Sequence, residues 1–122
     1  MSYLYRVVPK KDWIEALSRG RVPRCPADSR RDRVHMNELV DVELVANLWF
    51  SVEEEPVALE VDVSGLTECL RWEARAEEPY GIWPNLYVEG IPAERVVRVL
   101  QLKKDIGNAG TGGFMLGETF NG

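Results

Sequence analysis

The chain has 122 residues, enough for one domain whose core needs no disulfide or metal staple. Its composition, 45% hydrophobic and 29% charged, is that of a globular protein, and no apolar run approaches the roughly 20 residues of a membrane span. The net charge of −5 argues against binding duplex nucleic acid, yet nine Arg and Lys against four acids within residues 1–35 leave room for a local anion site.

Along the chain, Tyr3 to Val8 is apolar and β-branched enough for a first strand, stopped by Pro9. Lys10 to Arg19 has helical spacing, with Trp13, Ile14 and Leu17 on one face and Gly20 placed to close it. Residues 21–33 hold Pro23, Pro26 and several arginines and are expected to be mostly loop with a short extended piece. Arg33 to Met36 is a short strand, and Asn37 is placed to cap a second helix from Glu38 to Phe50, whose apolar stripe is Val40, Leu44, Val45 and Leu48.

Val57 to Val63 alternates apolar and polar residues, which predicts a strand with one buried and one wet face. Leu70 to Arg75 alternates again. A loop is expected over 76–84, a short strand at Asn85 to Val88, and a turn at Pro92 to Glu94. Arg95 to Leu102, apolar on nearly both faces, reads as the final and a central strand. Residues 106–122 contain six glycines and few bulky side chains, which predicts a flexible tail able to dock or to swap onto a second copy as a homodimer. Helices early and strands late give an α+β fold: one domain over 1–105 with two main helices in its N-terminal half, then the tail. Gly110-Thr111-Gly112-Gly113 lacks the Lys-Ser/Thr and the strand-to-helix context of a phosphate loop.

The opening Met1-Ser2-Tyr3-Leu4-Tyr5-Arg6 shows no secretory pattern, and Cys25 and Cys69 show neither metal-ligand spacing nor a disulfide framework. A reducing cytoplasm is the expected compartment. Zinc is disfavoured because His35 is the single histidine, and nothing places a Cys or Ser nucleophile beside it.

Five short segments occur in an informative order: Leu4-Tyr5-Arg6-Val7-Val8, Trp13, Val34-His35-Met36-Asn37, Leu70-Arg71-Trp72-Glu73 and Trp83-Pro84-Asn85-Leu86-Tyr87. Over about residues 3–104 the chain resembles the family catalogued as domain of unknown function 952, whose members carry comparable histidine, tryptophan–glutamate and proline–histidine–leucine–tyrosine segments. The resemblance implies an ADP-ribosylation-like fold of mixed or antiparallel sheets, related to that of the RNA 2′-phosphotransferases. It makes His35 and Glu73 the candidate catalytic pair and Tyr87 a matched ligand-side residue. Asn85 stands where the family has a second histidine and Asn37 where it has serine, so a group able to titrate near neutrality is missing.

Read as residues, His35 before a helix start suits a ribose hydroxyl or phosphate. Glu73 suits a ribose hydroxyl and an oxocarbenium-like centre, with a surface ion pair as the plain alternative. Arg24 and Arg33 belong to a six-arginine stretch over 19–33 that could clamp phosphate or simply face water. The resemblance further implies that Arg6 occupies the place where some ADP-ribosyltransferases carry an NAD-binding arginine. Trp83 and Tyr87 could stack on a base or a nicotinamide ring, whereas Trp13, Trp49 and Trp72 fit core positions. The expected ligand is NAD, ADP-ribose or a related phosphorylated nucleotide, with no metal. A non-catalytic binding or interaction module on the same fold is the alternative.

Overall fold

The computed structural model describes residues 2–77, 79–104 and 113–120. Four strands form the main antiparallel sheet: β1 (Tyr3–Pro9), β4 (Pro56–Asp62), β8 (Val96–Lys104) and β9 (Phe114–Phe120), in the order β1-β4-β8-β9. Two smaller antiparallel sheets complete the fold. One pairs β2 (Arg21–Pro23) with β7 (Gly90–Pro92); the other has the order β3-β6-β5, from Val34–His35, Gly81–Leu86 and Leu70–Arg75. The helices are α1 (Lys10–Arg19), α2 (Pro26–Arg31) and α3 (Val42–Trp49). The class is α+β with antiparallel sheets and few helices, and no helix among the described residues is long and apolar enough to cross a membrane.

The main sheet is covered on both faces, which corrects the expectation of a wet face on β4. Val57, Leu59, Val61 and the following Val63 pack with Trp13, Ala16, Val22, Leu86 and Ile91, while Ala58 packs on the other side with Val42, Ala46 and Phe114. Each large aliphatic side chain buried this way contributes about 1.5–3 kcal/mol. Glu60 is buried too, because the Tyr5 hydroxyl donates to it at 2.6 Å and Arg98 forks onto it at 2.9 and 2.8 Å.

α1 has the expected bounds. Gly20 closes it at φ 80°, its N–H donating to the Ala16 carbonyl at 2.7 Å. Its buried face is Trp13 and Ala16, not Trp13, Ile14 and Leu17; Ile14 and Leu17 face solvent. α3 differs in the same way. It starts as a 3-10 turn over Leu39–Asp41, then buries Val42 and Ala46, while Val40 is 82% exposed and Leu44 and Leu48 also point outward. The smaller side chains allow closer approach to Tyr5 and Val7 on the sheet. Asn37 does not cap this helix. Its backbone forms a β-bridge with Tyr5, with N–H···O distances of 2.8 and 2.7 Å, and its side chain donates to the Glu38 carbonyl at 2.9 Å.

Residues 21–33 contain β2 and an unexpected helix, α2. Pro26 pre-sets the first turn, the Cys25 sulfur accepts from the Asp28 backbone N–H, and the Asp28 carboxylate accepts from Cys25 N–H at 3.0 Å. β6 begins at Gly81, inside the expected loop. Pro84 is tolerated because it lies beyond the last β3 pairing, and its carbonyl accepts from Met36 N–H at 3.0 Å. β8 is central as expected but is not the last strand, since β9 pairs along it.

The flexible-tail expectation is thereby corrected for residues 114–120. Phe114 is buried, and α3 clasps the strand: Phe114 N–H donates to Asn47 Oδ1 at 2.6 Å and Leu116 N–H to Glu43 Oε2 at 2.8 Å. An uncovered β8 edge would present unpaired backbone groups, which β9 satisfies. The tail glycines from Gly107 to Gly112 lie outside the described residues. Trp13 is core, but Trp49 and Trp72, expected there, are 56% and 46% exposed.

Candidate functional site

Side chains opposite each other in an antiparallel ladder share a face. His35 pairs with Asn85, Asn85 with Arg71, and Glu73 with Trp83, so one face of the β3-β6-β5 sheet carries His35, Asn85, Glu73 and Trp83. The expectation for β5 put Leu70, Trp72 and Ala74 inward. Leu70 is half-buried against the core as expected, but beyond it Glu73 and Arg75 are the half-buried residues, and Trp72 and Ala74 are exposed.

These side chains wall a hollow of about 30 Å³, together with Arg31, Arg33, Met36, Ala74 and Arg75. That volume suits a water molecule or one small polar group. Glu73 is held from several sides. The Tyr87 hydroxyl lies 2.8 Å from each of its oxygens, Asn85 Nδ2 donates at 3.0 Å, and Arg33 Nε is 3.8 Å away. Arg33 Nη1 also donates to the Tyr87 hydroxyl at 2.8 Å, and its guanidinium carbon lies 5.5 Å from the ring centre. On the rim, Arg31 of α2 pairs with Glu77 after β5 at 2.7 Å.

Behind the imidazole stands a carboxylate that the sequence reading missed. Asp28 is fully buried, and its Oδ1 lies 2.6 Å from His35 Nδ1 while accepting His35 N–H at 3.1 Å. Arg6 forks onto both Asp28 oxygens and donates to the His35 carbonyl at 2.6 Å. Burial pushes the Asp28 carboxyl up. The hydrogen bond from His35, the charge of Arg6 and the amides of Cys25 and His35 outweigh it and hold the group well below the usual carboxylate range. The signal that could have found it is the start of α2: proline at the first helical position followed two residues later by an acid.

A second, open groove of about 470 Å³ is lined by Arg21, Arg24, Asp32, Tyr87, Val88, Glu89 and Gly90. Tyr87 stands between the two: it lines the groove, and its hydroxyl bonds to Glu73. Gly90 is required there, because a Cβ would lie 2.7 Å from the Val22 carbonyl oxygen of the paired strand.

Of the expected site residues, His35, Glu73, Arg33, Trp83 and Asn85 therefore converge on the hollow. Tyr87 joins through its hydroxyl. Arg24 lies in the groove, where it donates to Asp32 at 2.9 Å and to the Val88 carbonyl at 3.0 Å. Arg6 and Asn37 line neither cavity: Arg6 is buried against Asp28, and Asn37 is bridged to β1. Among the described residues no three His, Cys, Asp or Glu side chains are grouped to hold a metal ion.

The fold is similar to that of protein CC0527 from Caulobacter crescentus. Its crystal structure matches with a TM-score of 0.73 and 25% sequence identity, over 85% of this chain and 89% of that one. Its solution NMR structure gives 0.70 and 26%, over 86% and 88%. A search of curated proteins returned no match. The family described as "Protein of unknown function (DUF952)" matches residues 7–99, a span that holds His35, Glu73 and Asn85. The chain thus belongs to the DUF952 family.

Proposed function

We propose that this domain binds a phosphorylated nucleotide of the NAD or ADP-ribose type, on an ADP-ribosyltransferase-like arrangement of its sheets. The observation that supports this reading is the convergence of an imidazole, a carboxylate and three arginines, from segments far apart in the chain, around one hollow. Arg31, Arg33 and Arg75 line it, and guanidinium groups hold phosphate through paired N–H donors. Glu73 accepts a ribose hydroxyl, and Trp83 or the Tyr87 ring stacks on the base or nicotinamide. The hollow takes one polar group of the ligand. The groove beyond Tyr87, within the usual volume of a small-molecule site, takes the bulk.

Transfer of the ADP-ribosyl group is the extension of this reading. The bond from ribose C1′ to nicotinamide breaks with its electron pair leaving on nicotinamide, the oxygen of a water or acceptor hydroxyl bonds to C1′ and gives up its proton to solvent, and Glu73 offsets the positive charge developing at C1′. A second reading, a non-catalytic ligand-binding module, is favoured by Glu73 being engaged by Tyr87 and Asn85 and by asparagine at position 85 in place of histidine. The reducing cytoplasm remains the expected compartment for free Cys25 and Cys69. A homodimer through the tail would require β9 to leave its own β8 for that of a second copy.

Calorimetry with NAD and with ADP-ribose, alongside an assay for released nicotinamide, separates the readings. Saturable binding weakened by Arg33→Ala, with nicotinamide release lost in Glu73→Gln, supports transfer. Binding without release supports the module. The absence of heat at about 1 mM of either ligand overturns nucleotide binding.

A further inference from the structure

We infer that Asp28 is a positioning residue that holds His35 as its Nδ1–H tautomer, so that Nε2 meets the hollow as a bare hydrogen-bond acceptor. The inference deepens the nucleotide-binding reading. Only its consequence for the ligand rests on that reading; the tautomer itself does not.

The argument starts from what surrounds the Asp28 carboxylate. Its partners are Arg6 Nη1 at 3.3 Å, Arg6 Nη2, Cys25 N–H at 3.0 Å, His35 N–H at 3.1 Å and His35 Nδ1 at 2.6 Å. The guanidinium and the two backbone amides can only donate. They keep the buried carboxylate ionised, and an ionised carboxylate can only accept. A hydrogen bond at Nδ1 therefore requires the proton to sit on Nδ1.

The ring is also fixed in direction. The same Asp28 oxygen binds the His35 backbone N–H, and Arg6 Nη1 binds the His35 carbonyl at 2.6 Å. Arg6, in turn, prevents Asp28 from turning away. Among the described residues, no hydrogen bond engages Nε2, and the ring lines the hollow opposite Glu73 and Asn85. Two acceptors, Nε2 and the Glu73 carboxylate, then share one small space. A group seated between them must donate, which excludes a phosphate from the hollow and leaves it to the arginine rim; within a ligand of the proposed class, a sugar hydroxyl donating to one of the two acceptors meets that requirement.

Because His35 is the single histidine, imidazole nitrogen NMR reads this site without assignment ambiguity. At about pH 8, above the ordinary imidazole range, the free protein is expected to show one tautomer. Its Nδ1 proton should be downfield and slow to exchange, and Nε2 should have the shift of an unprotonated nitrogen. Asp28→Asn should lose the slowly exchanging proton. If that variant does not fold, the wild-type spectrum decides alone. A protonated Nε2, or two exchanging tautomers, in the wild-type protein overturns the inference whether or not any ligand binds. Adding ADP-ribose to saturation should move the Nε2 resonance. Calorimetric binding with an unmoved Nε2 overturns the hydroxyl assignment while nucleotide binding stands. An absence of calorimetric binding overturns the nucleotide reading and, with it, the hydroxyl assignment, while the free-protein spectrum still decides the role of Asp28.

Discussion

The Tyr87 hydroxyl lies 2.8 Å from both carboxylate oxygens of Glu73 and accepts from Arg33 Nη1 at 2.8 Å. It thus holds the position between a carboxylate and a guanidinium that a ligand hydroxyl would need. Tyr87→Phe removes this occupant. The expected result is ADP-ribose binding tightened several-fold, in keeping with about 1 kcal/mol for one hydrogen bond no longer exchanged. Because the contact is exposed, stability should change by less than about 0.5 kcal/mol. Calorimetry on the two proteins checks this; weaker binding in the variant would make the tyrosine hydroxyl a ligand contact instead.

Arg6 and Asp28 form an ion pair shut off from solvent, and removing either partner leaves a buried charge alone. Arg6→Met is expected to destabilise the fold by about 3–5 kcal/mol. Replacing both, Arg6→Met with Asp28→Leu, should restore part of that loss. Urea denaturation of the single and double variants measures it, and a loss below about 1 kcal/mol for the single variant would contradict the described burial.

Stability should fall with acid for the same reason. The Asp28 carboxyl is held below its unfolded value near 3.8, so the unfolded chain binds the extra proton first. The contribution is complete above about pH 4 and is lost as pH drops through the folded value. Glu60, lowered by the Arg98 hydrogen bond against burial and helped by Tyr5, acts in the same direction. Denaturant midpoints should be level from about pH 7 to 5 and decline below about 4, with a shallower decline in Asp28→Asn.

At the alkaline end the controlling group is Tyr5, which burial and the Glu60 hydrogen bond push up to about 12 from 10.0. A raised acid of this kind supports the fold below its unfolded value, and that support is lost as pH rises from about 10 toward 12. Midpoints measured across that interval should fall in the wild-type protein and fall less in Tyr5→Phe.

β9 should carry stability rather than hang free. Phe114 is buried among Tyr5, Val42, Ala46 and Leu102, so Phe114→Ala is expected to cost about 3 kcal/mol or more. Deleting residues 113–122 should expose the β8 edge and promote association, visible by light scattering. An unchanged denaturation midpoint for Phe114→Ala would return this segment to the tail that its glycines suggest.

Local chemistry was legible wherever the chain punctuates itself. Pro9 and Gly20 bound β1 and α1, and alternation marked β4 and β5. The face each helix buries was not legible. Val40, Leu44 and Leu48 have helical spacing, but close packing on Tyr5 and Val7 selected Val42 and Ala46. α2 escaped because six residues are too few for a periodic signal, and Asp28 escaped with it. β9 escaped because what fixes it, the edge of β8 and the packing of Phe114 against Tyr5, Val42 and Ala46, lies in segments far away in the sequence.

By itself the amino-acid order determined the class, the principal strands and helices, and which side chains were worth watching: His35, Glu73, Arg33, Trp83, Asn85 and Tyr87. Tertiary structure alone decided that these meet around one hollow, that Arg6 stands behind the imidazole, and that Asp28 joins them. The division has one physical cause. Turns, caps and periodicity act over a few residues, whereas cross-strand register and the pairing of buried charges are settled only when distant segments are packed together.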